Sequence, residues 1–198
     1  GQKTRTLEYP EGGILGHFSH NEDKLHGPFV IHHPTGQKML SGTFREGKRL
    51  GNFITWDSNG IARLYTYHYT RGHIHSYATY CDKEGNVRLI TKYMGGVPVQ
   101  AHLVEKEKVV ESLDMRKDFD VSEQLKATVD TFQAYYQNSK DAERDVANLI
   151  KLEVEEVRFA RSASRAAAVA QQLEAKQRAR AAGTNALIEG QRRRAGGF

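Results

Sequence analysis

Cysteine is nearly absent: Cys81 stands alone in 198 residues. No intramolecular disulfide can form, so a reducing compartment, or a particle assembled in one, is the expected setting. No apolar run approaches the roughly 18–20 residues that a membrane-spanning helix needs. No hydrophobic leader opens the sequence. The expectation is a cytoplasmic chain, neither secreted nor transmembrane. Catalytic signatures are missing too: there is no Gly-x-Ser-x-Gly elbow, and no glycine opens a helix in a Gly-Lys-Ser/Thr context. Nine histidines include His26, His32, His33, His73 and His75, but no cysteine or carboxylate shares a ligand spacing with them. They read as polar filling of exposed strands rather than a zinc site. The expectation is no enzyme, no cofactor and no metal.

Proline is scarce, glycine plentiful and the mean hydropathy is −0.65, a balance that argues against a large buried core. Nine Tyr, eight Phe and Trp56 supply packing material all the same, so the composition is not that of a disordered chain. The net charge of +5 hides blocks. Residues 1–100 carry 12 basic and 8 acidic side chains, 101–160 carry 9 and 14, and 161–198 carry 8 and 2. That pattern suggests a bipolar element with a basic end rather than a uniformly cationic nucleic-acid binder.

What is present is a repeat. Four turn signals, Tyr9-Pro10-Glu11-Gly12, His33-Pro34-Thr35-Gly36, Asp57-Ser58-Asn59-Gly60 and Asp82-Lys83-Glu84-Gly85, follow one another at 24, 24 and 25 residues. Gly42 to Gly47, Tyr67 to Gly72 and Thr91 to Gly96 mark the opposite turns, with a degenerate copy from Gly16 to Asp23. Phe29, Phe53 and Tyr77 form a third series at intervals of 24. Asn59-Gly60 is a turn dipeptide because both residues tolerate positive φ. The expected turn glycines are Gly12, Gly36, Gly47, Gly51, Gly60, Gly72, Gly85 and Gly96. In the strand Ile61–Tyr69, alternation sends Ile61, Tyr65, Tyr67 and Tyr69, with Arg63 among them, to one face and the more polar Ala62, Leu64, Thr66 and His68 to the other. Phe29, Phe44, Phe53, Trp56, Tyr65, Tyr67, Tyr69, Tyr77 and Tyr93 are the candidate packing or partner face. The first reading of the tyrosine stripe is an internal face covered by a helix of this or another chain; the second is an exposed platform.

The stretch Gly42–Gly60 resembles the MORN repeat, whose pattern is Gly-x-aromatic-x-x-Gly-x-x-x-Gly-x-aromatic followed by a turn glycine. The resemblance covers residues 9–98. The central copy matches in full. In the next, Tyr67 stands in place of Gly42 and Ser76 where Asn52 does, as in the divergent MORN-variant repeats of bacterial proteins, some of them called antitoxins. The resemblance implies a non-catalytic hairpin array used for protein contacts, dimerisation or contact with acidic lipids.

Val97-Pro98 should close the repeats, because proline removes a ladder donor. Gln100–Val104 reads as a further strand within a first domain of residues 1–104, with a connector over 105–120. Asp120-Val121-Ser122-Glu123 has capping-box spacing, and no Gly or Pro follows until Gly183. A continuous helix over 121–182 would span about 93 Å, with a weak point near Gln137-Asn138-Ser139. Leu125, Val129, Phe132, Tyr136, Val146, Ile150, Val154 and Val157 form its seam, which thins to Ala163, Ala166, Ala167, Ala170 and Leu173. The pattern is that of a coiled coil or bundle. Gly183-Thr184-Asn185 should break the helix, leaving a short basic helix at Ala186–Arg194 and a flexible end, Ala195 to Phe198.

The expected fold class is α+β, an elongated antiparallel hairpin-repeat sheet followed by a long C-terminal helical region. The expected function is a structural and interaction protein. It would self-assemble through the helix into a homo-oligomer or multi-subunit assembly and contact protein neighbours through the sheet, as in a minor component of a bacteriophage particle. One alternative is an antitoxin-like module that masks a protein partner. Another is attachment to nucleic acid or an acidic membrane through the basic end, with Arg192, Arg193 and Arg194 as candidate phosphate contacts. Nucleic-acid contact would be non-specific and salt-sensitive, and a membrane is not the expected partner.

Overall fold

The computed structural model describes residues 1–117 and 120–196; the parts of the expected connector and tail at 118–119 and 197–198 lie outside the described residues. Ten strands form one antiparallel sheet in strict chain order: β1 (Gln2–Glu8), β2 (Ile14–Asn21), β3 (Lys24–His32), β4 (Lys38–Arg45), β5 (Lys48–Trp56), β6 (Ala62–His68), β7 (Ser76–Cys81), β8 (Val87–Met94), β9 (Val97–Glu105) and β10 (Lys108–Asp114). One helix follows, α1 (Glu123–Ala195). The chain is therefore α+β, a hairpin-repeat sheet with a long C-terminal helix. It divides into two compact units, Gly1–Lys151 and the remainder from Leu152.

Two kinds of turn close the hairpins. At Tyr9, His33, Asp57 and Asp82 the carbonyl accepts from the glycine amide three residues on, and the amide donates to a carbonyl four residues on. At Asp57 and Asp82 the carboxylate also accepts two further backbone amides, at 2.9–3.0 Å. At His33, Asp57 and Asp82 only the glycine of the turn has positive φ, 83° at Gly60, so Asn59-Gly60 belongs to a longer Asp57–Ile61 turn and is not a two-residue reversal. At the opposite end β4–β5 and β8–β9 close through two-residue turns with positive φ at both positions, Glu46-Gly47 (50° and 80°) and Gly95-Gly96 (58° and 81°), the conformation that matches strand twist, whereas β6–β7 closes through a Tyr69–His73 turn bonded like the one at Asp57.

All eight expected turn glycines have positive φ, but Gly51 sits inside β5, not at a reversal. The β4–β5 register slips between Ser41 and Thr43, and Gly51 takes the left-handed conformation of the bulge at φ 74°. Gly27 and Ser76 hold the corresponding positions with φ 103° and 65°. Ser76 is thus the counterpart of Gly51, not of Asn52. The third repeat carries one extra residue, in the Tyr69–Gly72 turn. Phe29, Phe53 and Ala78 consequently pair with Gly42, Thr66 and Thr91 on the next strand. Thr66, not Tyr67, stands in for Gly42, and Ala78, fully buried, replaces Tyr77 as the inward residue.

One face of the sheet is a core. Phe18, Phe29, Phe44, Phe53 and His68 form a ladder of tilted and edge-on rings with centroids 5.1–6.3 Å apart. A Cβ at Gly42 would lie 2.5 Å from the Phe53 ring, so the close approach of ring and backbone needs glycine there. Leu64, Ala78, Tyr80, Leu89, Tyr93, Ala101 and Leu103 continue the core and meet Leu125 and Phe132 of α1. The helix seam therefore covers the sheet of its own chain over Leu125–Ile150.

Several expectations change. Pro98 does not end the pairing: β9 begins at Val97, and Pro98 faces Tyr93 where the β8–β9 register slips, which spares the ladder the missing donor. The expected connector contains β10, so the sheet runs to Asp114. The N-cap is Ser122, whose Oγ accepts from the Leu125 amide at 3.1 Å; the Ser122 amide and hydroxyl in turn donate to the Glu111 carboxylate of β10. The helix does not break at Asn138 or Gly183 but runs through both. The Ser139 hydroxyl donates to the Tyr136 carbonyl, 2.7 Å, and single poor helix formers cost under about 1 kcal/mol each.

Candidate functional site

Alternation along β6 decides which surface of the sheet is free. Leu64, Thr66 and His68 point into the core, so Tyr65 and Tyr67 point out, at 43% and 44% exposure. Tyr69 and Tyr77 join them at 52% and 48%. The candidate aromatic list therefore splits in two: Phe29, Phe44, Phe53 and Tyr93 are buried and Trp56 is half-buried, while the four tyrosines are uncovered. The tyrosine stripe is not the face beneath this chain's helix. Thr66 and His68 can occupy the core because their polar atoms are satisfied. His68 Nε2 lies 2.8 Å from Thr66 Oγ1, and Nδ1 lies 2.9 Å from the Gly72 carbonyl oxygen. Burial, with help from Arg49 and Lys140, holds the His68 pKa down at about 4.

The free face is organised around the irregular β6–β7 connection, where Leu64↔Tyr80 and Tyr65↔Thr79 pair in the ladder and His68↔Ile74 forms a separate bridge. His75 stacks on Tyr69 with centroids 3.7 Å apart, its Nε2 lies 2.7 Å from the Tyr69 hydroxyl, and Tyr67 meets its edge at 6.3 Å. A shallow cavity of about 270 Å³ opens beside this cluster, lined by Tyr69, Arg71, His73 and Gly96 among others. Rings with an apolar body and a wet hydroxyl end suit protein interfaces.

The opposite face is pinned to α1 by two buried arginines that sequence periodicity passes over. Arg49 is 2% exposed. Its Nε donates to Glu143 Oε2 at 2.6 Å and its Nη2 to Ser139 Oγ at 3.0 Å. The guanidinium lies 4.5 Å from the Phe53 ring centroid and 5.6 Å from that of Tyr136. Arg63 donates to the Cys81 carbonyl, the Tyr80 and Tyr135 hydroxyls and the Asp57 carboxylate. Burial opposes its charge, but the Tyr80 bond and its other partners outweigh that and raise its pKa. A signal was available: Arg49 occupies the repeat position of Leu25 and Ile74, and Ser139 and Glu143 continue the three-four seam between Tyr136 and Val146. A charge on the apolar side of a strand and another in the matching helix seam imply a pair.

Of the seam residues, Leu125, Phe132, Val146 and Ile150 are buried and Val129, Tyr136 and Val154 half-buried, while Val157 is 50% exposed. The histidines do not converge: His26 Nδ1 accepts from the Glu46 amide and His33 Nε2 pairs with the Trp56 carbonyl. Among the described residues no group of three or more His, Cys, Asp or Glu is placed to hold a metal ion. Cys81 is buried, which raises its thiol pKa, as does Asp82. In the second unit every described residue from Glu155 onward is exposed, including Phe159 (77%), Leu173 (55%) and Leu187 (71%). Arg192, Arg193 and Arg194 lie in the last turn of α1, where positive charge offsets the helix dipole. No described helix is long and apolar enough to cross a membrane.

No protein-family model and no curated protein matches the sequence. Solved structures match in part. Accessory secretory protein 1,2 and 3 of Streptococcus pneumoniae is 10% identical with a TM-score of 0.32, over 52% of this chain and 17% of that one. A TarM variant of S. aureus, in complex with fondaparinux, alpha-GlcNAc-glycerol and UDP, is 12% identical with a TM-score of 0.35, over 56% of this chain and 21% of that one. The chain spans about one fifth of the length of these structures, and likenesses at this level bear on neither fold nor function.

Proposed function

We propose that this chain is a non-catalytic assembly protein. The helix from Leu152 onward brings copies together, and the hairpin-repeat sheet, covered on one face by its own helix, offers its tyrosine face to a protein neighbour. The observation that carries this reading is the uncovered helix of the second unit, which exposes Leu152, Val157, Phe159, Val169, Leu173, Leu187 and Ile188. Burying such side chains contributes about 1.5–3 kcal/mol each. Val157 lies on the far side of the helix; half-burial of the other six on two chains gives roughly 9–18 kcal/mol, the order of the 4–15 kcal/mol that association costs. The resemblance to MORN repeats supports the same reading for the sheet, and a place in a virus particle is its finer version. The test is the mass of the full chain by light scattering, beside a variant carrying Leu152→Glu, Phe159→Glu and Leu173→Glu. The expected result is an oligomer for the parent and a folded monomer for the variant. A parent that stays monomeric at high concentration sinks the proposal.

A further inference from the structure

The second unit carries its charge unevenly. Over Leu152–Ala160 Glu153, Glu155 and Glu156 stand against Arg158, and over Lys176–Arg194 Lys176, Arg178, Arg180 and Arg192 to Arg194 stand against Glu189, with Arg161, Arg165 and Glu174 between the two clusters. Its apolar stripe is also periodic. Leu152, Phe159, Ala166, Leu173, Arg180 and Leu187 recur every seven residues, a coiled-coil seam position, and Phe159 and Leu187 lie two repeats either side of Leu173.

We infer that the helices of two copies pack antiparallel over this stripe, with Leu173 near the two-fold axis. The inference rests on the assembly reading above and adds the partner's identity and direction. Reversal brings each Phe159 within about one turn of the partner's Leu187 level, so bulky side chains still meet. It also places the Arg192–Arg194 turn of one copy beside the Glu153–Glu156 turn of the other. A parallel, in-register pair would set each of these clusters against its own charge, which is destabilising. Arg180 makes the same distinction inside the seam. Parallel copies would face two Arg180 side chains across the core. Antiparallel copies lay each Arg180 stem over the small Ala163, Ala166 and Ala170 of the other chain, leaving the guanidinium room to reach water.

Spin-label distances on the full chain test the direction together with the register centred on Leu173. In a Cys81→Ala background, one label is placed by Ala160→Cys and, in a second sample, by Gln172→Cys; circular dichroism confirms that both remain helical. Antiparallel pairing at 1.5 Å per residue predicts about 40 Å between Ala160→Cys labels. Gln172→Cys labels near the two-fold should lie under about 25 Å apart, given helix axes 8–10 Å apart. Short distances at both positions would overturn the antiparallel arrangement while keeping assembly. No dipolar coupling at Gln172→Cys, with a monomeric mass, would overturn assembly itself.

Discussion

Removing the carboxylate of Glu143 isolates a buried charge. Arg49 has 1% of its side chain exposed and Glu143 11%. In Glu143→Ala the guanidinium keeps only the Ser139 hydroxyl at 3.0 Å and two aromatic faces. Breaking a buried pair from one side costs about 3–5 kcal/mol. For a domain of this size that corresponds to a fall in Tm of roughly 6–20 °C. Replacing the whole cluster should not carry that penalty. Arg49→Leu restores the residue type of Leu25, and with Ser139→Ala and Glu143→Leu the seam becomes apolar throughout. Such exchanges are neutral or stabilising by about 1–4 kcal/mol. Trp56, the single tryptophan, borders a cavity of about 380 Å³ with Tyr135, Asn138 and Ser139 of α1. Its fluorescence in a urea titration therefore reports the helix leaving the sheet. A loss under about 1 kcal/mol in Glu143→Ala, or a triple variant weaker than Glu143→Ala, would refute the account of Arg49 as a paired charge in a closed core.

Two further outcomes follow from the core. Gly42→Ala drives a methyl group into the Phe53 ring at 2.5 Å and should destabilise by about 1–3 kcal/mol in chemical denaturation, as overpacking does. His68 is neutral in the fold with its pKa lowered to about 4, so the unfolded chain takes up its proton first. Stability is complete above about pH 6.5 and falls by roughly 3 kcal/mol as pH drops towards 4, and His68→Gln should flatten that slope in denaturation curves taken across the range.

The repeat, the turn positions and the long helix were legible because glycine spacing and apolar periodicity are local properties. The direction of the tyrosines was not. Leu64-Thr66-His68 looks like the wetter face until the Thr66–His68–Gly72 hydrogen bonds are known, and those depend on a turn four residues further on. Tyr77 misled for a similar reason: a residue added in the Tyr69–Gly72 turn moves every later side chain to the other face of a strand with period two. The destination of the helix seam was hidden because Leu125 to Ile150 would look the same against another helix as against a sheet. Only the Arg49, Ser139 and Glu143 departures from apolarity identify the partner surface.

Strict neighbour-to-neighbour strand order also sets a time order for folding. Each hairpin closes through contacts a few residues apart, which form fast. The Arg49–Glu143 bond, which ties α1 to the sheet beside the Phe53 ring of the ladder, spans 94 residues. During synthesis the sheet is complete long before its cover emerges. A nascent chain that has emerged past Asp114 but not yet to Ile150 holds a finished sheet with one apolar face open to water. That interval is where this chain is most exposed to aggregation and to chaperones.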